Sequence, residues 1–497
     1  MSLKKKNKVR RKQNTLKMLD WWTIGLYLIL IFIGWCTIYA ACYDYDNAEI
    51  FNFSANHGKQ IIWIATAILL GSMVLTIDSK FYSNIAYVFY VLMIVLLIAT
   101  IFLASDTKGS HSWLNFGAFK IQPAEFAKYA TCLCLSAFLS KPQRDLSKNK
   151  DLMLAVGIIL LPAIIIIAQS ETGSALVFFS FFLLLFREGM NGIILLLGVF
   201  AIVFFVLVLR YNNLPDAVIG VDVPELFGFI LVFAIAVVTA LIFLKIYTKD
   251  NTCMYTFLGI NIGIYAIGIT LANFIPAFKT WYAAAFSIGF SIIFLLAWGI
   301  KMHRSTYLLI ASFLLLSIAI SGCANYAFNN ILAPHQQIRI KIVLGLEDDP
   351  QGAGYNVRQS QIAIGSGGIT GKGYLNGTQT KLDYVPEQDT DFIFCTIAEE
   401  WGFLGSTLFI IIYASLMIRL IYLAERQRSA FSRIYGYGIL CIFLFHFFIN
   451  LGMVTGITPV IGIPLPLISY GGSSLWGFTL LLFTFIRLDA NRMEVLR

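Results

Sequence analysis

Apolar runs of about twenty residues alternate with short polar joints along almost the whole chain. A run of that length lets an α-helix cross roughly 30 Å of hydrocarbon. Fourteen runs can be counted, at 21–42, 60–77, 82–104, 123–140, 152–168, 173–187, 191–209, 225–246, 253–275, 281–299, 306–328, 392–420, 434–456 and 473–487. The pattern therefore predicts an all-α polytopic membrane protein with about fourteen transmembrane helices. A transmembrane β-barrel would need short segments of strict alternation instead, and the sequence lacks that rhythm.

Two stretches break the apolar pattern. From Pro334 to Asp391 the chain is rich in Gly, amides and charges of both signs. Hydrocarbon cannot solvate such groups, so this long loop is where chemistry or ligand capture is expected. The second stretch, GITPVIGIPLPLISYGGSS at 456–474, carries Pro459, Pro464 and Pro466 and is too broken to span. It reads as a re-entrant or unwound segment leading into a short last helix. Pro162 and Pro276 also fall in or beside spans, which is tolerated where backbone is buried in protein or lines a cavity.

Composition narrows the class. Charged residues make up 13% of the 497 residues and hydrophobic ones 58%, against roughly 25% charged in a soluble domain. The net charge of +9 sits mostly in the joints. The first 17 residues hold eight Lys or Arg and no acid. With a span following at once, this arm is expected to rest on anionic lipid heads inside the cell, with no nucleic-acid partner. No small-residue cleavage site follows the first span, which reads as a retained helix. Basic loops then recur after every even span, from Ser79–Lys80 to Arg487 onward. The positive-inside rule accordingly places both termini in the cytoplasm and 334–391 outside, in the periplasm. The eight cysteines lie nearly all in apolar runs and suggest neither a disulfide framework nor a zinc site.

Several residues could carry chemistry. Asp391 sits in PEQDTDFIF at the loop–helix junction, where an Asp can either cap the helix or do acid–base work; Glu387 and Asp389 stand beside it. Glu399 and Glu400 follow inside an apolar helix, where a carboxylate is costly and needs a buried Lys or Arg or a cavity. GSGGITGKG at 365–373 departs from the Walker spacing and has no strand–helix unit around it, so nucleotide binding is rejected. Its glycines are expected to allow tight turns near a ligand, and Lys372 could meet a phosphate as a point charge. IQPAEFAK at 121–128 puts Gln122, Glu125 and Lys128 at a helix start, with Glu125 and Lys128 three apart on one face. They could satisfy one another or form a cavity-facing relay. Trp113 reads as an interfacial anchor, and Lys59, Arg339, Lys341, Arg358 and Lys381 are outer cations for an anionic head group. The five histidines are scattered and suggest no metal site or Ser–His triad.

In order along the chain, IQPAEFAK, SETGSALV, GAGYNVRQSQIAIGSGGITGKG, PEQDTDFIF, AEEWGFLG and GITPVIGIPLPLISYGGSS resemble the SEDS family, which includes RodA, FtsW and SpoVE. The form DPQGAGYN followed by LNGTQTKL is similar to the RodA branch. Three departures stand out: Lys59–Gln60 where the family often has Arg–Gln, Ser112 where an Arg commonly precedes the loop Trp, and QPAE for QPSE. The family usually has ten spans, so the stretch 211–305 reads as about four inserted helices between SEDS-like parts at 21–210 and 306–487. Segments 1–20 and 488–497 are then cytoplasmic ends.

The resemblance implies a peptidoglycan glycosyltransferase that polymerises lipid II at the bacterial inner membrane during cell elongation, alongside a class B penicillin-binding protein and other elongation-complex proteins such as MreC/MreD. It implies Asp391 as the essential acid, and a functional Trp113 and Lys128. The substrate-binding set expected with it is Lys59, Trp113, Gln122, Glu125, Lys128, Arg358, Lys372, Glu387, Ser469 and Ser473. No ligand motif specifies a cofactor, and the pyrophosphate chemistry leaves a divalent cation open. Two other classes compete: a flippase or transporter of lipid-linked precursors, which would suit broken helices and intramembrane carboxylates, and a non-catalytic scaffold. The long outer loop ending in PEQDTD separates them, since a transporter has no need of it.

Overall fold

The computed structural model describes residues 18–43, 50–104, 111–115, 117, 120–212, 226–275, 277–330, 332, 334–347, 352–382 and 384–492. The basic arm 1–17, Pro276 and the last five residues lie outside these. The chain forms two compact units, Met1–Gly192 with Tyr355–Arg497, and Ile193–Gly354.

The first unit opens with α1 (Trp21–Ala41), α2 (Asn56–Thr76) and α3 (Ser79–Leu103), followed by a two-residue pair of strands, β1 (Leu114–Asn115) and β2 (Lys120–Ile121), in antiparallel register. Then come α4 (Pro123–Leu139), α5 (Asn149–Ala168), α6 (Thr172–Val177), a 3₁₀ turn (Phe178–Ser180) and α7 (Phe181–Arg187). Asp20 starts α1 by accepting from the Thr23 amide at 3.0 Å, satisfying one of the orphan donors of the first turn. Pro123 occupies the first turn of α4, where its missing N–H costs nothing. Pro162 stays inside α5. After the other unit the chain returns through α15 (Ile393–Glu425), α16 (Ala430–Thr455) and α17 (Gly472–Ala490).

The second unit contains α9 (Phe227–Phe243) with a π turn at Leu244–Thr248, α10 (Asn251–Phe274), α11 (Thr280–Met302), α12 (Ser305–Asn330) and α13 (Pro334–Val343); α8 (Gly192–Asn212) precedes them. Its core joins Phe204, Val208, Val232, Ala236, Phe257, Ile288 and Leu314. A polar layer crosses this core without loss, because Asn261 donates to Ser291 at 2.9 Å and accepts from Ser287 at 2.5 Å.

Among the described residues, eleven helices are long and apolar enough to cross a membrane. The other three expected spans, 123–140, 173–187 and 473–487, are also helical but fall outside that set. α4 has 17 residues, the second is interrupted by the 3₁₀ turn, and α17 carries Arg487 and Asp489 in its last turn. The polar stretch 334–391 differs from the expected loop: it contains α13 and α14 (Ala353–Ser366).

α15 bends at Gly402, whose φ of 62° and ψ of −159° break the helical ladder. The break exposes four backbone groups, and the chain at 368–373 fills them. Lys372 and Gly373 amides donate to the Glu399 and Glu400 carbonyls at 3.1 and 3.0 Å. Phe403 and Leu404 donate back to the Gly368 and Ile369 carbonyls at 2.9 and 3.1 Å. The glycines of GSGGITGKG are thus needed for backbone contact with a kinked helix: a side chain at Gly371 or Gly402 would collide with the opposing main chain.

Candidate active site

The segment 387–391 turns sharply into α15. Glu387 has φ 54° and is exposed; its carbonyl accepts from the Thr390 and Phe392 amides, both at 3.2 Å. Phe392, not Asp391, holds the N-cap position of α15, and no side chain caps that end. The half-buried Asp391 carboxylate lies instead toward the irregular segment 456–471, with Oδ2 3.3 Å from where a Gly462 Cβ would stand.

That irregular segment and α16 together hold the turn by the turn's main-chain carbonyls. Tyr470 N donates to the Asp389 carbonyl at 2.9 Å, Ser469 Oγ to the Thr390 carbonyl at 2.6 Å, and Asn450 Nδ2 to the Asp391 carbonyl at 2.8 Å. Three successive carbonyls are therefore gripped. Ser469 is further committed by accepting from Leu465 N at 2.8 Å. The segment itself is seated on close backbone contacts: a Cβ at Gly34 of α1 would meet Ile468 at 2.8 Å, and one at Gly173 of α6 the Ile461 carbonyl at 2.6 Å. Asn56 at the start of α2 donates to Asp389 Oδ2 at 2.7 Å, which brings exposed Lys59, one turn on, to the same side of the turn. A cavity of about 290 Å³ lies against it, lined by Ala41, Cys42, Val385, Pro386, Glu387, Gln388 and Asp389. A larger apolar groove of about 530 Å³ runs along Tyr87, Val88, Val91, Leu92 and Val95 on α3 alone and includes no residue of the site.

A second cluster gathers around α4. Gln122 Nε2 donates to Glu171 Oε1 at 3.2 Å, and Ser112 Oγ, next to half-buried Trp113, to Glu171 Oε2 at 2.8 Å. Lys128 is buried and bonded to Glu125 at 2.8 Å and to His446 Nε2 at 3.0 Å, with the Phe478 ring 5.2 Å from its nitrogen. Ser473 is buried in the first turn of α17.

The intramembrane carboxylates are both paired. Glu399 Oε1 accepts from Lys372 Nζ at 2.7 Å and from the Thr378 and Gln379 amides at 2.8 and 2.9 Å. Its Oε2 accepts from the Thr380 amide and hydroxyl at 3.0 and 2.8 Å. Glu400 faces Lys381 at 3.5 Å. Burial pushes the Lys381 ammonium below the usual lysine range, with Glu400 pulling the other way. Lys372 is thus spent on Glu399 rather than presented to a phosphate. Arg358 lies exposed on α14. Among the described residues no three His, Cys, Asp or Glu side chains converge as a metal site.

The sequence reading missed Asn56, Glu171, His446 and Asn450. For the last two a signal existed: polar side chains at i and i+4 in an apolar helix share a face and need partners.

The FtsW/RodA/SpoVE family, described as cell cycle proteins, matches residues 20–215 and 276–493. The peptidoglycan glycosyltransferase RodA of Treponema pallidum is 30% identical over 96% of this chain and 98% of its own. The peptidoglycan glycosyltransferase MrdB of Escherichia coli is 28% identical over 84% and 81%. Among solved structures, a chain of a peptidoglycan synthase complex coordinating polymerization and crosslinking shares the fold, with TM-score 0.61 at 20% identity over 96% of this chain and 99% of that one.

Proposed function

This chain belongs to the FtsW/RodA/SpoVE family of cell cycle proteins, and from that premise we infer that it is a peptidoglycan glycosyltransferase joining lipid II units, and propose Asp391 as its general base. The observation that carries the assignment of Asp391 is the grip of Tyr470, Ser469 and Asn450 on the carbonyls of 389, 390 and 391. A general base must be held within hydrogen-bond reach of the proton it takes, and a backbone fixed at three successive residues leaves its carboxylate little room to wander.

In the proposed reaction the acceptor sugar's 4-hydroxyl gives its proton to the Asp391 carboxylate as its oxygen attacks the donor's anomeric carbon. The bond from that carbon to the pyrophosphate oxygen breaks, and the electron pair leaves with the lipid pyrophosphate. The leaving group needs cations. Lys59 and Arg358 are exposed; Lys128 and Lys372 are bonded to Glu125 and Glu399. We assign the pyrophosphate to Lys59 and Arg358, and the sugar side to Trp113, Glu387 and the cavity beside Asp389. Gln122, Glu125, Lys128, Ser469 and Ser473 support the site from within.

Within this reading the three helices α4, α6–α7 and α17 join the eleven longer ones as crossings, both termini face the cytoplasm, and the Asp391 turn faces the periplasm. A class B penicillin-binding protein, within the elongation complex that includes MreC/MreD, takes the new strand. Purified protein given lipid II tests the core of the proposal: Asp391→Asn is expected to abolish strand synthesis while leaving the fold intact. Normal synthesis by that variant would overturn the assignment.

A further inference from the structure

His446 and Asn450 stand one turn apart on α16, 1% and 0% exposed. They grip neighbouring carbonyls of the irregular segment. Asn450 Nδ2 donates to Ile463 O at 2.8 Å as well as to Asp391 O, and His446 Nδ1 lies 3.0 Å from Pro464 O. A carbonyl only accepts, so Nδ1 carries the proton. Nε2 lies 3.0 Å from Lys128 Nζ; an ammonium only donates, so Nε2 accepts, and the ring is neutral. Phe478 packs edge-on against the ring at 5.0 Å between centroids. Lys128, 1% exposed and bonded on its other side to Glu125 at 2.8 Å, cannot reach a substrate from this position.

We propose that Lys128, His446 and Asn450 are positioning residues. Lys128 fixes the orientation and tautomer of His446; His446 and Asn450 then set the height of 463–464; and Asn450 ties that segment to the main chain of Asp391. Lys128 serves the reaction through this line and makes no contact with lipid II. The inference rests on Asp391 being the base.

The test uses the full-length protein in lipid nanodiscs, with lipid II polymerisation and amide hydrogen exchange measured side by side. His446→Phe keeps the ring volume and removes both bonds. It is expected to lower kcat about tenfold or more, to leave the KM for lipid II within about twofold, and to speed exchange at 461–471 and 389–392 alone. His446→Asn, whose amide can reach Pro464 O but not Lys128, is expected to recover part of kcat. Lys128→Met is expected to lower kcat alone, and the double variant Lys128→Met/His446→Phe to be no slower than the slower single variant. Multiplying losses, a loss confined to KM, or unchanged exchange at 461–471 would overturn the proposal. Should His446→Phe fail to fold, His446→Asn carries the same measurements. Exchange is also read in an Asp391→Asn background: activity there would remove Asp391 as base, while the exchange pattern still decides whether the three residues hold the turn.

Discussion

A Cβ added to Gly462 would stand 3.3 Å from Asp391 Oδ2, and Gly462 has φ 75°. Glycine takes that backbone conformation without strain, and a Cβ there would oblige the carboxylate to shift by a few tenths of an ångström. Gly462→Ala is therefore expected to cost about 1 kcal/mol or more in stability and about ten- to a hundredfold in polymerisation rate through displacement of the base. Thermal unfolding and lipid II turnover on the same preparation check both; a variant with the wild-type rate would remove Gly462 from the site.

Glu399 and Lys372 should respond unequally. Glu399 organises Thr378, Gln379 and Thr380 as well as the lysine, so Glu399→Ala strands several donors at once, the buried Thr380 amide and hydroxyl among them, and is expected to cost about 3–5 kcal/mol. Lys372→Met leaves Glu399 its other donors and is expected to cost about 1.5–3 kcal/mol. Denaturant titrations of the two variants give the order. Were Lys372→Met to leave stability untouched and abolish turnover, Lys372 would belong to the pyrophosphate after all.

Gly402→Ala is expected to be among the most damaging small changes in the chain. Its dihedrals lie in a region open essentially to glycine, and a Cβ there would strike the Gly371 amide and approach Ile369 O to 2.8 Å. The strap at 368–373 should come loose before the rest of the unit unfolds. Faster amide exchange at Lys372, Gly373, Phe403 and Leu404 than in the wild type would register it; an unchanged pattern would refute the strap.

Asp20 predicts an acid limit. Burial alone would raise its carboxyl, but bonds from Arg419 and Thr23 hold it down at about 2. The folded state therefore binds a proton less readily than the unfolded chain, whose carboxyl titrates near about 4. This stabilisation is present above about pH 4 and is lost as pH falls toward 2. Asp20→Asn should be less stable than wild type at neutral pH, with the gap closing over that window. Melting temperatures followed from neutral pH downward would show the convergence, and a constant gap would deny it.

Much of this architecture was legible in the pattern of hydrophobicity alone. Eleven of the apolar runs correspond, among the described residues, to helices long and apolar enough to cross a membrane, because in hydrocarbon every backbone group must bond within its own segment. Position made Asp391, just before α15, one candidate beside Glu387 and Asp389, and only the resemblance of PEQDTDFIF to the family's motif singled it out. The partners of Glu399 and Glu400 could be foreseen only as some buried cation, and the glycines of 365–373 only as tight turns. Both depended on Gly402 breaking α15, which changes a purely local helix into a receptor for a strap from another part of the chain.

The amino-acid order by itself thus determined membrane helices, the polar segment and the cluster of acids at its end, since each follows from short-range chemistry: apolar length, charge and turn-forming residues. Which atoms hold that acid was decided only by the tertiary structure. Asn450, Ser469, Tyr470 and the Lys128–His446 pair reach Asp391 and its neighbours across 59 to 81 positions of chain or through a third element, and contacts of that range exist only once the helices have packed and the irregular segment 456–471 has been drawn in between them.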